Sequence, residues 1–212
     1  GGGKEIMHFS LSSGLSPTAG VAAEAAKEVM EENHGCTIEV EDSLEETIGC
    51  RALVKAAVRL RDEGKTVEEA NEYVLALRSH MQYYIIANDL YYLKRGGRVS
   101  TLAAVAGSVL QVKPVLSFTR DGKLSVVEKV RGMKKAFSNA LAKMEKFKPV
   151  EENRVIWIVH TDAEAQANEL ADMIEARWKF RPDVTIMGPV IGSHVGPGAV
   201  AVMWKSAQER ND

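Results

Sequence analysis

Three closely spaced serines and a glycine follow an apolar segment and precede a stretch with helical periodicity: Ser12, Ser13, Gly14 and Ser16. At a strand-to-helix turn, hydroxyl donors lie beside the free N–H groups of the helix N-terminus, where the positive end of the helix dipole attracts anions. The pattern therefore predicts an anion-binding loop. The alternative is that one of the serines only caps the helix. The sequence lacks the glycine-rich phosphate-binding motifs, which argues against a nucleotide as the anion.

Arg98 and His194 are two further candidate binding residues, and each lies in a glycine-rich setting. Arg98 follows Gly96 and Gly97, which are expected to end one helix before another begins. Its guanidinium could pair with an acidic group, join two domains, face a partner or be solvated. His194 lies in residues 188–199, where four glycines and two prolines predict a rigid loop. For His194 a binding role and a structural role are both open.

The sequence gives no support for catalysis or for a metal site. No nucleophile stands at a known motif spacing from a base, and no carboxylate pair indicates acid–base chemistry, so no catalytic residue is assigned. Cys36 and Cys50 form neither a CxxC pair nor a zinc cluster with histidine. We therefore expect no metal ligands, no cofactor and reduced thiols in a cytoplasmic protein.

Charge and hydropathy argue against two classes of partner. The 27 basic residues are interspersed with 29 acidic ones and the formal net charge is −2, so no basic stripe indicates a nucleic acid. No apolar run approaches the roughly 20 residues that a membrane-spanning helix needs. We expect neither nucleic-acid binding nor a membrane span.

The candidate residues are distributed over two halves of different construction. Residues 6–79 alternate short strands with helices, which is typical of a parallel sheet covered by helices. After His80 the predicted order includes a short helix, a helix from Ser100 to about Leu110, and a hairpin across Arg120-Asp121-Gly122. The predicted fold class is α/β: a first domain over residues 1–80 with a parallel sheet, which the family resemblance described below implies is an incomplete Rossmann-like domain, and a second domain over residues 81–212 with a mixed sheet and flanking helices.

Local signals predict several helix ends in the first half. The first helix is expected to run from Leu15 to Glu32. Gly64 is placed to end the second helix in the C-cap region. Thr66, followed by Glu69, forms a capping-box pattern that opens the third helix.

The chain begins with Gly1–Gly3, which lead directly into a predicted strand. We interpret the three glycines as a linker and expect further elements of the first domain upstream. A parallel sheet cut at this point would expose unpaired backbone groups and an apolar face. We therefore expect this edge to associate with the missing N-terminal segment or with another partner.

Five segments, taken together, resemble the DegV family. They are residues 11–16 (LSSGLS), 40–43 (VEDS), 93–100 (LKRGGRVS), 113–116 (KPVL) with Asp121-Gly122, and 192–199 (GSHVGPGA). Members of that family enclose a fatty acid between a Rossmann-like domain and a mixed-sheet domain, with the carboxylate at the serine loop and the tail in an apolar tunnel. Some bacterial members present the acid to a fatty acid kinase, which makes the acyl phosphate for phospholipid synthesis.

The resemblance implies a fatty-acid-binding carrier and not an enzyme. It assigns the carboxylate-binding loop to Ser12, Ser13, Gly14 and Ser16, with Ser13 as the direct hydroxyl contact. His194 would close the head-group side, and Arg98 would line the same region or meet the kinase. The family also has upstream strands and a second hydroxyl-bearing loop that this chain lacks. The alternatives are an acyl- or phosphoryl-transfer enzyme that uses Ser13 and His194, and a truncated interaction scaffold.

Overall fold

Two units make up the chain in the computed structural model, which describes residues 5–99, 111–151 and 154–210. The first unit comprises Gly1–Ser79 and Arg120–Lys123, and the second comprises His80–Thr119 and Leu124–Asp212. The turn at 120–123, which the sequence placed in the second domain, thus groups with the first unit. The helix predicted from Ser100 to about Leu110 lies outside the described residues.

The first unit alternates strands and helices, as its sequence predicts. Its elements are β1 (Glu5–Ser10), α1 (Thr18–Glu32), β2 (Thr37–Asp42), α2 (Thr47–Asp62) and α3 (Val67–Ser79). Strands β1 and β2 pair in parallel, with Ser10 opposite Asp42. Two parallel neighbours need a crossover connection, and α1 provides it.

The predicted helix ends are mostly confirmed. Thr66 Oγ1 accepts the N–H of Glu69 at 3.2 Å, and Glu69 Oε2 accepts the N–H of Thr66 at 2.9 Å, which is the reciprocal capping box. Gly64 follows α2 with a φ of +78°. Helix α1 begins at Thr18 and not at Leu15, because the N–H groups of Leu15 and Ser16 both donate to the carbonyl of Ser12 and form a tight turn.

The second unit contains a six-stranded mixed sheet with flanking helices, which confirms the predicted class. Its elements are β3 (Met81–Ile86), α4 (Tyr91–Arg95), β4 (Val112–Phe118), β5 (Leu124–Arg131), α5 (Met133–Lys146), β6 (Ile156–Thr161), α6 (Glu164–Trp178), β7 (Asp183–Ile186), α7 (Pro189–Val195) and β8 (Ala199–Lys205). The strand order is β5-β4-β3-β8-β6-β7. Only β6 and β7 are parallel within this sheet as described.

The core of the second unit lies between the sheet and the helices α5 and α6. Phe137, Ile158, Leu170 and Trp204 are completely buried there. The indole N–H of Trp204 donates to the carbonyl of Phe147 at 2.6 Å, so this buried donor is satisfied. Among the described helices, none combines the length and the apolar character of a membrane span.

The prediction for the segment around His194 is wrong. Residues 188–199 were predicted as a rigid loop, but residues 189–195 form the short helix α7. Pro189 occupies the first helical turn, where its fixed φ favours a helix and its missing N–H costs nothing. Gly196, with a φ of +80°, then ends the helix.

Candidate functional site

The serine loop lies where β1 ends, beside the loop that follows β2. The N–H of Ser43 donates to the carbonyl of Ser10 at 3.2 Å, and the N–H of Ser12 donates to the carbonyl of Glu45 at 3.0 Å. Because β1 and β2 are parallel, both loops leave the same edge of the sheet, which is where open α/β sheets bind ligands. The two loops therefore form one connected structure in the first unit.

Ser12 is an internal support of this structure. Its side chain is completely buried, and its hydroxyl donates to the carbonyl of Gly122 at 2.7 Å. The same oxygen accepts the N–H of Gly14 at 3.2 Å. With its proton donated and one lone pair in use, the hydroxyl of Ser12 holds the turn at 120–123 and has no donor left for a ligand.

Ser13 has the opposite character, because its side chain is exposed. Its backbone N–H donates to Asp42 Oδ1 at 3.0 Å, and the same oxygen accepts the N–H of Leu44 at 3.1 Å. Within the described residues, the hydroxyl of Ser13 makes no hydrogen bond. Asp42 therefore fixes the backbone of Ser13 while the hydroxyl stays available to a ligand.

Ser16 is only partly exposed, and its hydroxyl is engaged locally. Its oxygen lies 2.7 Å from Thr18 Oγ1 and accepts the N–H of Thr18 at 3.3 Å. The N-cap residue of α1 is Pro17, and it makes no side-chain capping bond. Ser16 thus satisfies one N–H at the start of α1, and an anion at the loop would have to use the others.

Position 14 requires glycine because the backbone of the turn at 120–123 lies very close to it. A Cβ at this position would lie 2.6 Å from the carbonyl carbon and oxygen of Gly122 and 2.9 Å from the carbonyl oxygen of Asp121. These are backbone atoms, so a side chain at position 14 could be accommodated only if the whole turn shifted. Glycine at position 14 therefore lets the turn at 120–123 pack onto the serine loop.

Two buried glutamates beside the serine loop were missed by the sequence analysis. Glu45 is completely buried and Glu46 is 6% exposed. Burial raises the pKa of the Glu46 carboxyl to about 7, and burial also raises the pKa of the nearby Cys50 thiol to about 11. Thr47 next to Glu46 has a φ of +39°, an unusual conformation for a β-branched residue. Acidic residues before a helix are ordinarily exposed, so the sequence carried no signal of this burial.

Arg98 and the His194 region belong to the second unit, where α4 contacts α7. A Cβ on Gly96 would lie 2.3 Å from His194 Nδ1, so the imidazole packs directly against the Gly96 backbone. Arg98 is exposed, and its guanidinium donates to the carbonyl of Gly96. Gly97, with a φ of +71°, follows α4 and redirects the chain. The structure thus brings His194 and the segment that carries Arg98 together.

No group of three or more His, Cys, Asp or Glu side chains suited to a metal ion occurs within residues 5–99, 111–151 and 154–210. The serine loop offers the Ser13 hydroxyl as a donor, whereas the N–H groups of residues 12–16 already donate to protein oxygens. Its chemistry therefore suits an anionic or polar head group better than a cation.

Comparison with known proteins gives the family. A family model described as "Uncharacterised protein, DegV family" matches residues 1–207. The chain belongs to the DegV family. A DegV domain-containing protein of Clostridium perfringens is 32% identical over 204 residues, which cover 95% of this chain and 70% of that protein. The resemblance read from the five segments is confirmed.

Solved DegV structures share the fold. A DegV family protein from Eubacterium eligens loaded with heptadecanoic acid has a TM-score of 0.88 and 25% identity, covering 97% of this chain and 74% of that one. A fatty acid binding DegV family protein from Streptococcus agalactiae has a TM-score of 0.83 and 29% identity, covering 98% and 72%. The predicted α/β class is confirmed by these matches, and the presence of upstream elements stays a prediction.

Proposed function

We propose that this DegV protein binds a long-chain fatty acid, with the carboxylate at the serine loop and the tail in an apolar cavity. The observation that carries the proposal is the difference between neighbouring hydroxyls: Ser12 and Ser16 bond to the protein, whereas the exposed Ser13 hydroxyl does not within the described residues. The relative from E. eligens is loaded with heptadecanoic acid and the relative from S. agalactiae is described as fatty acid binding, which supports this ligand class.

The tail supplies most of the affinity in this proposal. Burial of each methylene contributes about 0.8 kcal/mol, so a chain of roughly 14 methylenes gains about 11 kcal/mol before ordering costs. The serine loop contributes little ionic binding energy for a carboxylate, because the Ser13 N–H already donates to the side chain of Asp42. The Ser13 hydroxyl therefore orients the head group, and tail burial holds the ligand.

His194 and Arg98 are assigned to the head-group region in this proposal. His194 contacts the head group through its imidazole, and Arg98, exposed at the end of the α4 segment, lines the same region or meets a fatty acid kinase. The protein then acts as a cytoplasmic carrier that presents the carboxylate for phosphorylation to the acyl phosphate. It contributes no catalytic residue of its own.

The first test is mass spectrometry of lipid extracted from the protein purified from cells. A stoichiometric long-chain fatty acid is expected, and a different lipid class or no lipid would contradict the ligand assignment. The second test adds a fatty acid kinase and ATP and measures acyl phosphate. Arg98→Ala should reduce either bound lipid or acyl-phosphate yield while the protein stays folded. Turnover of an acyl or phosphoryl donor by the isolated protein would instead favour a transferase.

A further inference from the structure

Thr161, the last residue of β6, holds the backbone that follows His194. Its hydroxyl donates to the carbonyl of Gly196 at 2.5 Å and accepts the N–H of Ala199 at 3.0 Å. Its own carbonyl accepts the N–H of Gly198 at 2.6 Å. Thr161 is only 8% exposed, so water does not readily replace these bonds if they are lost.

The methyl group of Thr161 contacts the helix that carries His194. A Cβ on Gly192 would lie 3.7 Å from Thr161 Cγ2, which is ordinary van der Waals contact. Gly192 precedes His194 by two residues and Gly196 follows it by two. One side chain on β6 therefore contacts the chain on both sides of the histidine.

The segment after His194 needs such support. Gly196 and Gly198 have φ values of +80° and +81°, and glycines restrict the backbone less than any other residue. The His194 imidazole makes no hydrogen bond within the described residues, although it packs against Gly96. Its position therefore depends on the backbone that Thr161 holds.

We propose that Thr161 is a positioning residue for His194. The effect on the ligand rests on the proposed function, in which His194 contacts the fatty acid head group. The positioning itself rests on the hydrogen bonds and the methyl contact of Thr161 and can be measured without a ligand.

Two substitutions separate the contributions of the side chain. Thr161→Val keeps the methyl contact with α7 and removes the hydroxyl, whereas Thr161→Ser keeps the hydroxyl and removes the methyl. Ser117→Ala is the control, because Ser117 also has a buried hydroxyl that donates to a backbone carbonyl of the same sheet, that of Tyr83 at 3.3 Å. The His194 ring signal is followed by NMR, assigned with His194→Gln, together with amide exchange at residues 198 and 199 and the affinity for palmitate.

Thr161→Val is expected to shift or broaden the His194 ring signal and to speed amide exchange at residues 198 and 199 about 10-fold. It should weaken palmitate binding by about 5-fold, the scale of one lost hydrogen bond. Thr161→Ser keeps the hydroxyl and should bring amide exchange and palmitate affinity back close to wild type, with a small change of the His194 signal left by the lost methyl contact. Ser117→Ala should leave the His194 signal unchanged. If Thr161→Val does not fold, Thr161→Cys is measured in the same way, because a thiol is only a weak hydrogen-bonding group.

A Thr161→Val protein with wild-type His194 signal and wild-type amide exchange would overturn the positioning role. An altered His194 signal with unchanged palmitate affinity would overturn the link between this position and the ligand. Absence of palmitate binding by the wild-type protein would overturn the proposed function instead, and the NMR and exchange data would still decide the role of Thr161.

Discussion

Ser12 and Ser13 are adjacent serines, and replacing Ser12 by alanine should destabilise the protein far more than replacing Ser13. Ser12→Ala removes a buried hydroxyl that donates to the Gly122 carbonyl and accepts the Gly14 N–H. Ser13→Ala removes an exposed hydroxyl that has no hydrogen bond within the described residues. The pair therefore tests whether the structure separates the supporting serine from the ligand-facing one.

The expected loss of stability in Ser12→Ala follows from two backbone groups, the Gly122 carbonyl and the Gly14 N–H, which both lose their hydrogen-bond partner. A net hydrogen bond contributes about 1 kcal/mol, and a buried group left without a partner costs about 1–3 kcal/mol. The Gly122 carbonyl lies in a buried residue, whereas Gly14 is only partly buried and water can reach its N–H more easily. We expect Ser12→Ala to lower the free energy of unfolding by about 2–4 kcal/mol and Ser13→Ala to change it by less than about 0.5 kcal/mol.

The assay is urea unfolding followed by two signals. Far-UV circular dichroism reports both units, whereas Trp157, Trp178 and Trp204 all lie in the second unit and their fluorescence reports that unit. With a typical urea slope, the circular dichroism midpoint of Ser12→Ala should fall by roughly 1 M relative to Ser13→Ala. Equal midpoints for the two variants would refute the assignment of Ser12 as an internal support.

Three further predictions concern the surroundings of the loop. Gly14→Ala should lower the free energy of unfolding by about 1–3 kcal/mol, because its Cβ would overlap the backbone of the 120–123 turn. The matched control Gly20→Ala, with open space around it in α1, should raise that free energy by about 0.5–1 kcal/mol; equal effects in thermal unfolding would contradict the packing. Burial raises the pKa of Glu46 from 4.5 to about 7, so the folded protein binds this proton more tightly and the free energy of unfolding falls as pH rises through that range. Glu46→Gln should make the free energy of unfolding less dependent on pH, and at pH 8 it should be more stable than wild type by on the order of 2–4 kcal/mol. If the wild type and Glu46→Gln show parallel pH profiles in urea unfolding, the raised pKa of Glu46 is contradicted. Asp42→Ala should cost about 1–3 kcal/mol and weaken palmitate binding, whereas Asp42→Asn, which keeps an acceptor for the Ser13 N–H, should stay within about 1 kcal/mol of wild type in the same assays.

Much of the fold could be predicted because the signals are local. The hairpin across Arg120-Asp121-Gly122 follows from apolar runs around a turn with glycine, and the structure confirms it with the strands Val112–Phe118 and Leu124–Arg131. The capping box at Thr66 and Glu69 likewise needs only four consecutive residues. Hydrophobic periodicity and helix capping depend on residues close together in the chain, so they can be recognised from one sequence.

The details of the site depend on contacts between distant residues. The residue pattern alone does not distinguish Ser12 from Ser13, although the family resemblance favours Ser13, because the difference lies in a hydrogen bond to Gly122, 110 residues away. The burial of Glu46 and the support of His194 by Thr161 depend on packing in the same way. The glycines of residues 188–199 predict a loop, whereas the structure has the helix Pro189–Val195, because Pro189 favours the first turn of a helix.

The most direct test of the central claim is a calorimetric titration of the purified protein with palmitate. The wild type should bind, and Ser13→Ala should bind about 5- to 30-fold more weakly, the range for a lost hydrogen bond to a charged group. Ser138→Ala is the control, because Ser138 is an exposed residue of α5 whose hydroxyl bonds to the Lys134 carbonyl. Equal affinities of the wild type and Ser13→Ala, or no binding by the wild type, would contradict the account of the serine loop as the carboxylate site.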